Sequence, residues 1–233
     1  MHLRPTVWRV RAAAALLDLI LPSFCSVCGV PGDALCETCR GRLARIEGPA
    51  CDRCGAPTAW PVERCRECAG RRIPFATARA AVVYDEAARS LVAAWKDRGL
   101  RSIASLAAEL VTEVVVRPSV YTITFVPSDA DRRLTRGHNP AERLALALGE
   151  HWRLPVVPLL ARAPGVRPQR GLPLADRRRN VRGVFHATDA APRELVLCDD
   201  VYTSGATVSA AASALRKAGA RRVEVVTFAR AVR

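Results

Sequence analysis

The chain has 233 residues, half of them hydrophobic, which supplies ample material for a buried core and excludes global disorder. Lys plus Arg outnumber Asp plus Glu by 36 to 22, a formal charge of +14 that favours anionic partners such as phosphates or nucleic acid without naming one. Only two of those cations are lysines, Lys96 and Lys217, so lysine is scarce enough for each to be worth inspecting.

At the N-terminus, Arg4, Arg9 and Arg11 precede an apolar run from Ala12 to Leu21 that superficially resembles an export signal. Asp18 interrupts it, Pro22-Ser23-Phe24-Cys25 is neither a small-residue cleavage site nor a lipoprotein site, and the run is too short to span a bilayer. Leu16, Leu17, Ile20 and Leu21 fit one helical face, so the spacing predicts a short packing helix. The chain reads as cytoplasmic, with no membrane span.

Eight of the nine cysteines then fall between Cys25 and Cys68, in a Gly/Pro-punctuated stretch with little apolar periodicity. This suggests an N-terminal helix and metal module over 1–75 and one core domain over 76–233. In the second part, Ala78–Tyr84 reads as a strand, and Glu86–Lys96 and Ser102–Val116 as helices. Tyr121–Val126 is β-rich and stopped by Pro127. A basic loop leads to a helix at Asn139–Glu150, with Asn139 able to cap it and Pro140 suited to its first turn. Pro155–Leu160 reads as a strand and Ala161–Gly183 as a long arginine-rich loop. Glu194–Cys198 is a buried-type strand, Ala206–Ala218 a helix and Arg222–Ala229 a final strand. Strands alternating with helices imply an α/β fold with a doubly wound parallel sheet.

The cysteines form four pairs: Cys25/Cys28, Cys36/Cys39, Cys51/Cys54 and Cys65/Cys68. A C-x-x-C turn presents two sulfurs to one metal, and two turns complete a zinc tetrahedron. A disulfide scaffold would need an oxidising compartment, for which there is no export signal. Sequential pairing is simplest, and a crossed arrangement also satisfies the spacing. Four sulfurs per ion leave no open position, so both zinc ions are expected to be structural. Gly29 and Gly55 follow two of the pairs, where a knuckle often needs positive φ.

The most informative stretch is Leu195-Val-Leu-Cys-Asp-Asp-Val-Tyr-Thr-Ser-Gly-Ala-Thr207. A hydrophobic strand ends in Asp199 and Asp200, followed by a hydroxyl- and glycine-rich turn that opens a helix. Phosphate needs free backbone N–H groups and a positive helix end, and such a turn supplies both. Thr203, Ser204 and Thr207 add hydroxyls, Gly205 allows close backbone approach beside Ala206, and the two acids suit ribose hydroxyls and Mg²⁺. There is no P-loop lysine motif and no G-x-G-x-x-G. Cys198 belongs to the strand and reads as a core thiol.

Val196–Thr207 resembles the 5-phosphoribosyl-1-diphosphate motif of type I phosphoribosyltransferases. The whole chain resembles the ComF family, the competence-protein and GntX-like branch of that superfamily. Four segments carry this likeness beside the motif: the double zinc ribbon Cys25–Cys68; Lys96-Asp-Arg-Gly99; Val126-Pro127 with Arg132 and Arg136-Gly-His-Asn139; and Gln169-x-x-Leu172 with Arg177, Asn180 and Phe185. His138, Pro140 and Val166 depart from the usual residues.

The resemblance implies a Mg²⁺-dependent donor site in which diphosphate leaves C1 of the ribose through an oxocarbenium-like transition state. Val126–Asp129 would be the diphosphate loop and Ala161–Gly183 a closing flap. Arg136, Arg170 or Arg177 would contact diphosphate oxygens, with Lys96 near phosphate. The chain stops four residues after the last predicted strand. An acceptor-specific hood is therefore expected from the zinc module, from Glu86–Val116 or from a second subunit of a homodimer, and the acceptor is unreadable. The competing reading, also from the ComF resemblance, is a non-catalytic or DNA-binding protein that assists single-stranded DNA uptake with other uptake machinery. Its weakness is the thin supply of aromatics for base stacking, 5% of the chain.

Overall fold

A computed structural model describes residues 24–100, 102–129, 137–163 and 183–232. The predicted helix near residues 12–21 and most of the arginine-rich loop lie outside them. The chain separates into two compact units, one ending at Arg42 and the other beginning at Leu43.

In the first unit, the amide of Cys25 donates to Val30 O at 2.8 Å and that of Gly29 to Cys25 O at 2.9 Å, closing the first knuckle. Helix α1 (Glu37–Arg42) carries Cys39 on its buried side.

The second unit begins with the other cysteine cluster and continues into the α/β sheet. In chain order the elements are β1 (Thr77–Val83), α2 (Glu86–Asp97), α3 (Ile103–Val114), β2 (Ile123–Phe125), α4 (Pro140–Trp152), β3 (Leu160–Arg162), β4 (Phe185–Ala187), β5 (Glu194–Tyr202), α5 (Ala206–Lys217) and β6 (Arg222–Arg230). The main sheet has the order β1-β6-β5-β2 and every pair in it is parallel. Val156 extends it by one parallel bridge to Ile123, on the open side of β2. Along this order, the β1-to-β2 and β2-to-Val156 connections run one way and β5-to-β6 the other. Right-handed crossovers therefore place α3 and α4 on one face and α5 on the opposite face. Leu91, Trp95, Ile103, Leu110, Leu144, Leu148, Leu195, Leu197 and Phe228 are fully buried between these layers.

The caps are local consequences of sequence. Asp85 accepts the amide of Ala88 at 2.9 Å and starts α2. Asn139 accepts the amide of Ala141 at 3.1 Å ahead of Pro140, and its side-chain amide donates to Val126 O at 3.0 Å. One buried side chain thus starts α4 and fixes the end of β2. Asn139→Ala is expected to lower stability by about 2 kcal/mol, read as a shift in the denaturant midpoint at unchanged slope.

Two expectations change. The segment read as a strand over Pro155–Leu160 makes only the Val156 bridge, because Pro155 and Pro158 have no N–H for a ladder. Regular pairing begins at Leu160 and runs antiparallel to Phe185–Ala187, in a separate two-stranded ribbon. Strand β5 continues past Cys198 to Tyr202, because β6 runs beside it as far as Arg230 and completes the ladder over the two acids. The division into compact units falls between the two cysteine clusters, after Arg42. The second cluster is tied to β1: Ala78 donates to Arg53 O at 3.0 Å and the Arg79 side chain to Asp52 O at 2.9 Å.

Candidate functional site

The cysteines gather sequentially, Cys25/Cys28/Cys36/Cys39 and Cys51/Cys54/Cys65/Cys68, with all four sulfurs of each group within 4.8 Å of one another. Neighbouring sulfurs lie 3.7 Å apart for Cys28–Cys36 and 3.5 Å for Cys51–Cys68 and Cys54–Cys65. A zinc tetrahedron with bonds of ~2.3 Å has edges of about 3.8 Å, whereas a disulfide is about 2 Å, so the donor set fits zinc. Gly29 and Gly55 both take positive φ. At Gly55 a Cβ would run into the carbonyl of Ala78, so the second knuckle can press against β1 only as glycine.

Each cluster also contains one thiol already biased toward thiolate. Burial pushes Cys25 up, but amides of Cys28, Cys36 and Val27 outweigh it and bring it down to about 6. Cys51, opposed in the same way by burial, is brought down to about 7 by amides of Cys54 and Cys65. Burial and neighbouring thiols push Cys39 up to about 12 and Cys68 to about 11, so zinc itself must displace those protons.

The second arrangement lies at the carboxyl edge of the parallel sheet, where ligands bind in open α/β folds. Strand β5 delivers Asp199 and Asp200 there, and the turn Thr203–Gly205 connects them to α5. Gly205 has φ 70° and caps α5, which starts without a side-chain cap. A Cβ on Gly205 would collide with the ring of Tyr202, so both conformation and contact demand glycine. Ser204 Oγ accepts the amide of Ala206 at 3.3 Å. Thr203 is exposed, and Ser204, Ala206 and Thr207 are half-buried.

Lys96, at the end of α2, places Nζ 2.7 Å from Asp200 Oδ2. Burial opposes the ammonium, yet Asp200 and Asp199 together hold its pKa above the ordinary lysine value. Asp199 is the strained partner. Burial, then the adjacent Asp200 charge, raise it to about 8, although Lys96 and the Asp200 amide, donating to Asp199 Oδ1 at 3.0 Å, pull the other way. Cys198 is fully buried and its thiol is pushed up by burial, which suits a core residue and not a nucleophile.

The structure therefore brings together Lys96, Asp199, Asp200 and the turn Thr203–Thr207, with Val126–Asp129 alongside, where Val126 donates to Cys198 O at 2.9 Å. Lys96 meets an acid at the place where phosphate contact was expected. Arg136, Arg170 and Arg177 lie outside the described residues. His138 is buried and His186 exposed. Sequence reading missed Arg162, which pairs with Asp129 at 3.7 Å, and Arg71, which donates to Ser204 O at 3.3 Å. It also missed Arg230, the buried cation that ends β6. In so arginine-rich a chain no local pattern sets these three apart.

A parallel α/β domain with a carboxyl-edge acid pair and phosphate-type turn, preceded by two zinc sites of four cysteines each, is the class that fold and site define. Comparisons with known proteins bear on the zinc module and on the chain as a whole. The family model for the double zinc ribbon domain matches residues 16–69. Competence protein F of Haemophilus influenzae is 26% identical over 85% of this chain and 91% of its own length. The DNA utilization protein YhgH of Salmonella typhimurium is 27% identical over 89% and 96%. Competence protein ComFC of Streptococcus pneumoniae is 25% identical over 84% and 87%. The ComF resemblance is thus shown: the chain has homologues with these names along nearly its whole length.

Among solved structures, a glutamine phosphoribosylpyrophosphate amidotransferase from B. subtilis matches at TM-score 0.36 and 20% identity, over 55% of this chain and 25% of that one. A purine phosphoribosyltransferase from Pyrococcus horikoshii matches at 0.28 and 19%, over 55% and 82%. Among the described residues no helix is long and apolar enough to cross a membrane.

Proposed function

We propose that the carboxyl edge of the sheet binds 5-phosphoribosyl 1-diphosphate with Mg²⁺, and that the protein is a phosphoribosyltransferase-type enzyme or donor-binding protein. The observation that carries this is one continuous arrangement, from the acid pair of β5 through the turn Thr203–Gly205 to the start of α5, whose N-cap glycine has no side chain. Amides at the mouth of a helix bind the 5-phosphate through their N–H groups and the positive helix end. Asp199 and Asp200 would take the ribose hydroxyls and hold Mg²⁺, which neutralises diphosphate charge when bound. Val126–Asp129 would face the diphosphate, and Arg136 and Arg177 would complete the site. Lys96, paired with Asp200 in the free protein, would serve as a nearby cation for phosphate oxygens once the donor is bound.

Calorimetry with the donor, with and without Mg²⁺, tests the proposal. Micromolar, Mg²⁺-dependent binding is expected for the natural chain, with a loss of at least about 100-fold in the double variant Asp199→Asn/Asp200→Asn. Equal heats from both proteins would refute it.

A second reading is favoured by the relatives' names, competence protein and DNA utilization protein. In it the same edge is catalytically idle and the basic chain handles single-stranded DNA in transformation. Absence of donor binding, together with affinity for single strands that falls steeply with salt, is its signature.

A further inference from the structure

The second cysteine cluster and the phosphate-type turn are joined by a buried cation. Arg230, the last residue of β6, is 1% exposed. Its Nη1 donates to Cys54 O at 2.6 Å, and its Nη2 lies 3.5 Å from Cys54 Sγ and 2.8 Å from Glu67 Oε2. One guanidinium therefore grips both knuckles of that cluster: Cys54 belongs to the first pair, and Glu67 lies between Cys65 and Cys68. A zinc ion with four thiolates carries two net negative charges, so a buried cation against it is electrostatically matched.

The other side of the same guanidinium covers Tyr202, 4.4 Å from the ring centroid. Tyr202 is also the register partner of Arg230 in the sheet, and its carbonyl accepts the amide of Ala231 at 2.9 Å. Phe75 closes the ring's edge at 6.3 Å and 86°. Gly205 sits so close to the ring that no Cβ fits between them. A second tie runs in parallel: Arg71 donates from Nη1 to Glu67 O at 3.0 Å and from Nη2 to Ser204 O at 3.3 Å. The backbone of the turn thus rests on a ring that rests on a cation that is held by a metal-site knuckle.

We propose that Arg230 is a positioning residue for the turn Thr203–Gly205. Through Tyr202 it makes the shape of the turn, and hence affinity for a sugar phosphate, depend on the folded second zinc site. This rests on the donor-binding reading for its functional consequence, but not for its structural one. It gives the second cluster a role beyond holding its own loops together. It also explains why β6, buried from Val225 onward, ends in a buried arginine.

Arg230→Lys tests the idea, because lysine keeps the charge but lacks the planar fork that grips Cys54 and Glu67 while covering the ring. Three quantities are read: bound zinc, amide hydrogen exchange over 202–208, and Kd for phosphoribosyl diphosphate with Mg²⁺. The expected result is two zinc ions retained, exchange in the turn faster by roughly tenfold with α3 and α4 unchanged, and Kd weakened by roughly tenfold. Tyr202→Leu, which removes the ring and leaves Arg230 on its knuckle, is expected to loosen the turn equally. It decides the question if Arg230→Lys loses metal or fails to fold. Turn exchange and Kd within twofold of the natural chain in the folded variant overturn the proposal. If the natural chain itself does not bind the donor, the donor-site reading fails, and exchange in the turn alone decides the role of Arg230.

Discussion

Asp199→Asn is expected to make the ligand-free protein more stable at pH 8.5 and, under the proposed function, to abolish Mg²⁺-dependent donor binding. The sign follows from linkage. The folded-state value for Asp199 is about 8, above the ordinary 3.8, so the folded protein retains a proton that the unfolded chain has already released. Stability contributed by this group therefore falls as pH rises from about 4 to about 8, and the full cost is present above that. Asparagine carries no such cost and still offers Oδ1 to the Asp200 amide, while Lys96 keeps its partner Asp200. After allowance for the group's partial exposure, the gain is on the order of 2 kcal/mol at pH 8.5, vanishing near pH 4. Melting temperatures across that pH range check it, and a destabilised variant at pH 8.5 would contradict it. Stability gained where binding is lost is the signature of a functional site held under strain. For the natural chain, the proposed site would bind its donor more tightly as pH rises from 6 to 9, because Mg²⁺ held by Asp199 would require the ionised carboxylate.

Cys51→Ala produces the largest loss. Cys51 is wholly buried and its sulfur lies 3.5 Å from that of Cys68. Removing it opens the second zinc tetrahedron, and the stretch around it is too poor in apolar residues to fold alone. The damage spreads into the sheet, because β1 hydrogen-bonds to Asp52 and Arg53 and the buried Arg230 is held by Cys54 and Glu67. Zinc content is expected to fall from two to one per chain. The loss of stability is on the order of 5 kcal/mol, or roughly 15 °C for a chain of this size. A variant with one zinc that melts within a degree or two of the natural chain would show that the cluster is a detachable ornament.

The elements visible in the sequence are those whose cause is local. Asn139 ahead of Pro140 marks a helix start by its own hydrogen bonds, and four C-x-x-C pairs mark two metal sites by their spacing alone. The turn Thr203–Gly205 was legible because the strand, acids, glycine and helix that make it are consecutive. Features built across the chain were not. The extension of β5 over Asp199 and Asp200 depends on β6, which lies twenty-odd residues later and supplies the ladder that two acids would not favour. The Lys96–Asp200 pair joins residues more than a hundred positions apart. Lysine scarcity pointed to Lys96, but nothing local named its partner. Arg230 is the extreme case. Its meaning comes from a cysteine knuckle 176 residues earlier, and the same packing puts the second cluster in one compact unit with the sheet.

A donor site at this sheet edge requires that phosphate bind at the turn before α5. Amide chemical shifts of the natural chain, titrated with phosphoribosyl diphosphate and Mg²⁺, measure this most directly. The largest shifts are predicted at Ser204, Gly205, Ala206 and Thr207, with Asp199 and Asp200 following only when Mg²⁺ is present. Shifts that leave this turn untouched, or that gather elsewhere on the chain, would contradict a donor site there.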